Sequence, residues 1–298
     1  MSNWWGTYDV AMGRTLRWQV GPATLWVTRK PVEWSVGRVD GQDPVDNRLA
    51  VAENSEVPDG DEVEVSRFAV QGESRALRLT PALPDRPVIF KAAKPFFVPA
   101  GEEATLFVSS PLWLRLDVGE KTTELLDVPL QRPSDTWFGP DTLTGELCYA
   151  SRTSARLHLQ EVPVRPHRAI TEVRIVNRAK ASLPLENLKV PVPGLELFAS
   201  GDGHLWTAGL TLEREEDRDQ ARVRVTDRPK TAMALTPVAP PRTPASRGVL
   251  IDAFGRAAAG TYEVEGAILR FLPDLATRCD QSDGGLLPET GYDVTLVG

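Results

Sequence analysis

Leu112-Trp113-Leu114-Arg115-Leu116-Asp117-Val118 is the stretch that decides the fold class. Leu112, Leu114, Leu116 and Val118 fall on one side of an extended chain, and Trp113, Arg115 and Asp117 fall on the other. That alternation predicts a strand with one face on a core and one in water. The same period recurs outward from it, at Leu77 and Leu79, Val63 and Val65, and Val32, Trp34 and Val36. Leu16, Trp18 and Val20 repeat it once more and end at Gly21-Pro22, with a return through Ala23 to Thr28. Pro44, Pro58-Asp59-Gly60-Asp61, Pro84-Asp85, Pro99-Ala100-Gly101 and Pro111 punctuate these runs, and proline cannot donate to a ladder.

Towards the C-terminus, Thr171 to Asn177 alternates through Val173 and Ile175, followed by Leu185, Leu188 and Val190. Short strands without long helical runs between them predict an all-β chain. The expected organisation is two β-sandwich-like domains, immunoglobulin-like or jelly-roll-like, with one short C-terminal helix. An N-terminal β-sandwich domain spans 1–162 and an immunoglobulin-like one 163–240. Residues 241–298 hold a proline-rich connector, the helix, a strand and a weakly ordered tail. The proline cluster from Pro237 to Pro244 predicts extended chain at the surface. The helix is expected over Gly248–Ala259, capped by Ser246, because Leu250, Ile251, Phe254 and Ala258 gather on one helical face.

Composition narrows the function classes. With 41 acidic against 34 basic residues and a net charge of −7, nucleic acid is not an expected partner, although the excess of arginine over lysine leaves room for a local basic patch. The N-terminus lacks the basic and apolar regions of a secretory signal, and no run of about 18 apolar residues occurs. Cys148 and Cys279 are too few for a disulfide framework. The expectation is a cytoplasmic protein without direct membrane insertion. Nothing in the residues sets an oligomeric state.

Several constellations could carry chemistry. Asp40, Asp43 and Asp46, with Asp59 and Asp61, are the weak metal candidates: oxygen donors at loop spacing, yet without an EF-hand pattern and equally at home in exposed turns. Paired carboxylates in these loops would also serve a hydrolase or lyase. His158, His167 and His204 stand at no metal-ligand spacing, and neither cysteine lies in a Cys-x-x-Cys pair. No Gly-x-Ser-x-Gly elbow or phosphate-binding glycine pattern occurs. Leu287-Pro288-Glu289-Thr290-Gly291 matches a sortase sorting signal but lacks the apolar stretch and basic tail such a signal needs.

The most distinctive segment is Ser134-Asp135-Thr136-Trp137-Phe138-Gly139-Pro140-Asp141, leading to Gly145-Glu146-Leu147-Cys148-Tyr149. Asp135, Trp137, Phe138 and Asp141 are the candidate ligand- or partner-binding residues, since aromatic rings beside carboxylates suit a sugar or protein surface. The other reading has Trp137 plugging a sandwich end. Trp4 and Trp5 invite the same two readings.

The order of Arg86-Pro87-Val88, Pro99-Ala100-Gly101, Asp135-Thr136-Trp137-Phe138-Gly139, Gly145-Glu146-Leu147-Cys148-Tyr149 and Val173-Arg174-Ile175-Val176-Asn177 resembles a prokaryotic family catalogued as a domain of unknown function, over residues 15–235. Members of that family stand beside genes for small-conductance mechanosensitive channels. The resemblance implies a regulatory partnership with such a channel protein and carries over no catalytic residue. The function expected is therefore a non-catalytic binding or regulatory protein that needs no cofactor. Its rivals are a carbohydrate-binding module stacking on Trp137 and Phe138, and a hydrolase or lyase using loop carboxylates.

Overall fold

The computed structural model describes residues 3–70, 75–119, 122–139, 145–216, 220–244, 250–254, 257–265, 268–273 and 292–295. In this range the chain forms the strands β1 (Gly6–Asp9), β2 (Thr15–Val20), β3 (Ala23–Arg29), β4 (Glu33–Asp40), β5 (Leu49–Glu53), β6 (Glu64–Ala69), β7 (Ala76–Ala82) and β8 (Val88–Val98). Next come β9 (Glu103–Pro111), β10 (Trp113–Val118), β11 (Thr123–Pro129), β12 (Ser134–Phe138), β13 (Glu146–Ala150), β14 (Arg168–Asn177), β15 (Leu183–Val190) and β16 (Leu197–Ala199). The last are β17 (Leu205–Thr207), β18 (Leu210–Arg214), β19 (Gln220–Val225), β20 (Thr236–Ala239), β21 (Leu250–Asp252), β22 (Ala257–Glu265), β23 (Ile268–Pro273) and β24 (Tyr292–Thr295). Among the described residues the only helical turns are the short 3-10 segments Leu159–Glu161 and Val192–Gly194. The chain is all-β.

The strands make four sheets, in the orders β1-β7-β10-β11, β5-β2-β3-β4-β6, β15-β8-β13-β12-β22-β23-β24 and β20-β16-β17-β14-β18-β19-β21, with β9 also on β14. The deciding stretch is β10, at the centre of the first sheet. Leu112, Leu114, Leu116 and Val118 are buried, as their spacing predicts. Two positions of its other face are covered as well, contrary to expectation. Trp113 packs on Tyr149 with ring centroids 5.4 Å apart, and Asp117 is buried, which raises its pKa, while Arg115 between them stays partly exposed.

Gly21-Pro22 closes the β2–β3 hairpin as a two-residue loop between the paired Val20 and Ala23. Gly21 has φ +58°, which glycine adopts without strain at the first central position of such a turn. A Cβ there would also lie 2.1 Å from Nδ1 of His167, so the hairpin turn doubles as the wall against which that ring packs. One hydrophobic core runs from Trp4 through Trp18, Leu77, Leu114, Phe90, Leu188 and Leu212 to Phe254.

The boundary expected at 162/163 is crossed by two long ladders. β8 pairs with β15, and β9 pairs with β14 over its whole length. The described residues of the helix expected over Gly248–Ala259 are extended instead. Leu250–Asp252 pairs with β19, Ala253 accepts a hydrogen bond from the Lys189 amide, Phe254 bridges to Leu188, and Ala257 onward pairs with β12. The apolar spacing that suits a helix also suits this extended path, and the neighbouring ladders supply the hydrogen bonds a helix would have made. In place of the single strand expected within residues 241–298, β22 and β23 form an antiparallel pair. Ser246, Asp141, Cys279 and the sorting-signal match lie outside the described residues.

The proline-rich stretch begins as strand β20 and is then tied down. Arg242 donates from Nη2 to Asp127 Oδ1 at 2.7 Å, pairs through Nη1 with Oδ2, and donates from Nε to the Leu83 carbonyl. Burial opposes ionisation of Asp127, but Arg242 and then Arg115 outweigh it and hold the carboxyl below its usual range. Asp127→Asn should cost about 1.5–2 kcal/mol, the scale of lost hydrogen bonds to a charged group, read as a lower urea midpoint at neutral pH. The difference should vanish well below pH 4, where the parent carboxyl is itself protonated.

Candidate functional site

The segment singled out by sequence splits between two faces of one sheet. On β12, Thr136 and Phe138 are buried while Asp135 and Trp137, one residue out of phase, are half-buried on the opposite face. Phe138 packs with Ile89 and Cys148, and Nζ of Lys189 sits 5.2 Å from its ring centroid. Lys189, buried, pairs with Glu146. Burial, then the charge of Glu146, pushes the Cys148 thiol up to about 12, so it is an inert core group. Phe138 is a plug, the part sequence reasoning considered for its neighbour.

Across the sheet, Asp135 pairs with Arg86 at 3.2 Å, and Arg86 lies over the Tyr149 ring at 5.3 Å. Tyr149 donates its hydroxyl to Asp85 at 2.9 Å. Burial, then that acceptor, raises the tyrosine pKa to about 12. The ring of Trp137 closes over the backbone at Gly145, where a Cβ would lie 2.5 Å from Nε1. Asp135 and Trp137 thus share a face, and Phe138 does not. A cleft of about 250 Å³ opens beside this network, lined by Asp85, Pro87, Glu146, Lys189, Thr243 and Ile251 among others.

The loop carboxylates serve their own turns. Asp40 pairs with Arg38, Asp43 accepts from the Val45 amide at 2.9 Å, and buried Asp46 holds both the amide and the guanidinium of Arg48. Asp59 and Asp61 are exposed on the turn before β6. Among the described residues, no three His, Cys, Asp or Glu side chains gather as a metal site. His158 is exposed, His167 is fully buried, and His204 pairs with Asp202 at 3.1 Å.

A second concavity, of about 210 Å³, gathers residues that sequence left unassigned. It lies between the N-terminal segment, the start of β5 and the turn before β17, and is lined by Trp5, Asn47, Leu49, Val164, Arg165 and His204, with Trp4 behind them. Trp4 is fully buried, donates from Nε1 to the Pro166 carbonyl at 3.0 Å and meets Trp5 edge to face at 5.6 Å. That fixed ring holds Trp5, half-buried, at the groove wall. Beside the groove β5 is an edge strand of its sheet. Leu49 and Val51 sit opposite the buried Val20 and Trp18, hence on the core-facing side, yet each is 38% exposed.

A family model described as "Protein of unknown function (DUF432)" matches residues 4–257. The chain belongs to the DUF432 family. No curated protein and no solved structure matches the chain. The DUF432 match reaches beyond the 15–235 span of the sequence resemblance and takes in Trp4, Trp5 and the edge strand β21. Three of the five segments that carry the resemblance map onto β12, β13 and β14, strands at the centre of this DUF432 fold's two largest sheets, while Arg86-Pro87-Val88 leads into β8 and Pro99-Ala100-Gly101 turns from β8 to β9. Among the described residues no helix is long and apolar enough to cross a membrane.

Proposed function

We propose that this DUF432 protein acts by binding a partner protein, which lays an extended segment along β5 and seats an apolar or aromatic side chain in the groove at Trp5. The observation that carries this reading is the edge strand itself. Leu49 and Val51 face the core side of their sheet without being covered, and they run into a concavity that offers a held indole, a guanidinium, an imidazole and a carboxamide. Strand addition supplies main-chain hydrogen bonds, and a pocket for alternate side chains supplies selectivity. The family resemblance supports a small-conductance mechanosensitive channel as the partner, with the protein as its accessory regulator.

The test is binding of the purified chain to such a channel in detergent micelles, followed by biolayer interferometry. Saturable binding is expected, weakened about tenfold or more by Trp5→Ala, the size of a central aromatic anchor. Absence of binding by the parent chain sinks the channel partnership. Binding that is indifferent to Trp5→Ala and to Val51→Lys sinks the groove as its seat. Saturable quenching of tryptophan fluorescence by an oligosaccharide, lost with Trp5→Ala, would instead favour the carbohydrate-binding reading.

A further inference from the structure

The stretch between β13 and β14, Ser151 to Arg168, carries Arg152, Arg156, Arg165 and Arg168 against a single acid, Glu161. In a chain of net charge −7 this is the local basic excess for which the composition leaves room. Most arginines elsewhere in the fold sit on a carboxylate, as Arg38, Arg48, Arg67, Arg115, Arg174 and Arg242 do. None of these four makes an ion pair among the described residues.

Arg168 is the extreme case. It is 4% exposed, and its partners are all neutral. Nε donates to Ser109 Oγ at 3.0 Å, and Nη2 to the Ser109 carbonyl, to Ser151 Oγ at 3.2 Å and to Thr153 Oγ1 at 3.0 Å. Nη1 has no partner among the described residues. The nearest charges are Arg165 and Arg152, of the same sign; burial first, then these two, lower the Arg168 pKa to about 9, which leaves the guanidinium charged at neutral pH. A buried charge is costly unless it is paired, and neutral hydroxyls satisfy donors without neutralising the charge. Stapling the Ser151–Thr153 loop to β9 would need only a neutral donor.

The site also lies close beneath the surface. Ser151 and Thr153 are half-exposed, Arg152 between them is exposed, and Arg165 is joined to Arg168 by a tight turn in which the Arg168 amide donates to the Arg165 carbonyl at 3.1 Å. Thr153 spends its hydroxyl proton on the Ser109 carbonyl at 3.0 Å, which leaves the Ser151 hydroxyl, a fork-shaped guanidinium with an unused edge and two flanking cations, the recurring chemistry of oxyanion recognition.

We propose that Arg168, with Ser151, Thr153 and the flanking Arg152 and Arg165, forms a binding site for a phosphate-type oxyanion. This goes beyond the partner-binding groove, because it assigns a second ligand, of different chemistry, to Arg168 and the Ser151–Thr153 loop, with Arg165 alone lining both. Free phosphate and an anionic lipid headgroup present the same oxygens, so the experiment carries an arm for each.

The full chain is titrated calorimetrically with inorganic phosphate and pyrophosphate, and separately floated with phosphatidylcholine vesicles with and without phosphatidic acid. Saturable heat with either free ion assigns the site to a free phosphate, and flotation only with phosphatidic acid assigns it to a headgroup. In either case Arg152→Ala, an exposed change that leaves the fold intact, should weaken binding about tenfold, and Arg168→Lys, which keeps the charge but loses the fork, at least as much. Trp5→Ala should leave anion affinity within about twofold, which separates this site from the groove. No saturable heat and no flotation by the parent chain would overturn the proposal. So would binding that Arg152→Ala and Arg168→Lys leave unchanged.

Discussion

Acidification from pH 7 to pH 4.5 should cost this protein roughly 2–3 kcal/mol of folding stability through one side chain, His167. The ring is fully buried against Gly21, and neither nitrogen has a hydrogen-bond partner. Burial first, then the charges of Arg168 and Arg165, lower its pKa to about 3, while Asp46 pulls weakly the other way. The folded ring therefore stays neutral down to about pH 3, whereas the unfolded ring takes up a proton near pH 6.5. Between those values the unfolded state binds the extra proton. Stability is full above pH 6.5 and declines as pH falls through the window, by about 1.4 kcal/mol per unit. His167→Phe keeps a ring against Gly21 and cannot titrate there. Urea midpoints of parent and variant at pH 7 and 4.5 should show the parent losing roughly 2–3 kcal/mol more than the variant. Equal losses would mean that His167 is protonated in the fold.

Phe138→Ala should cost about 3–5 kcal/mol, the range for truncating a buried phenylalanine, with a midpoint shift to match. Its ring contacts Ile89 and Cys148 and lies under the Lys189 ammonium, so the change opens a cavity beneath a buried charge. Trp137→Ala, at a half-buried position on the other face, should cost clearly less. A reversal of that order in urea melts would move the plug to Trp137.

The fold class was legible because the alternation in Leu112 to Val118 and the Gly21-Pro22 turn are local facts that the tertiary structure leaves intact. What local pattern could not give was cover on the second face. Trp113 reads as a solvent-face residue and is covered, because Tyr149 packs on it from a distant strand. Leu250, Ile251 and Phe254 fit helical spacing, yet β19 and Leu188 draw them into strand, a choice set by partners far along the chain. Among candidate site residues, sequence located the β12 segment but not which ring faces which side, since adjacent aromatics lack a phase of their own. Arg168 gave only a compositional sign, the run of arginines with one acid. Its burial follows from the loop that folds across Ser109. Trp5 and Leu49 were invisible as a pair because the groove joins the N-terminus, an edge strand and a turn from the second half.

The ladders β8–β15 and β9–β14 also set an order for biosynthesis. While the ribosome has released only the chain up to about Val162, β8 and β9 each present a bare edge, with Val88, Ile89 and Phe90 on one and Leu106, Phe107 and Val108 on the other. Their partners are not yet made. The emerging polypeptide therefore passes through an interval in which two apolar strand edges await capping, the state most open to pairing with another nascent copy. Synthesis of Arg168 to Val190 supplies both partners and ends that interval.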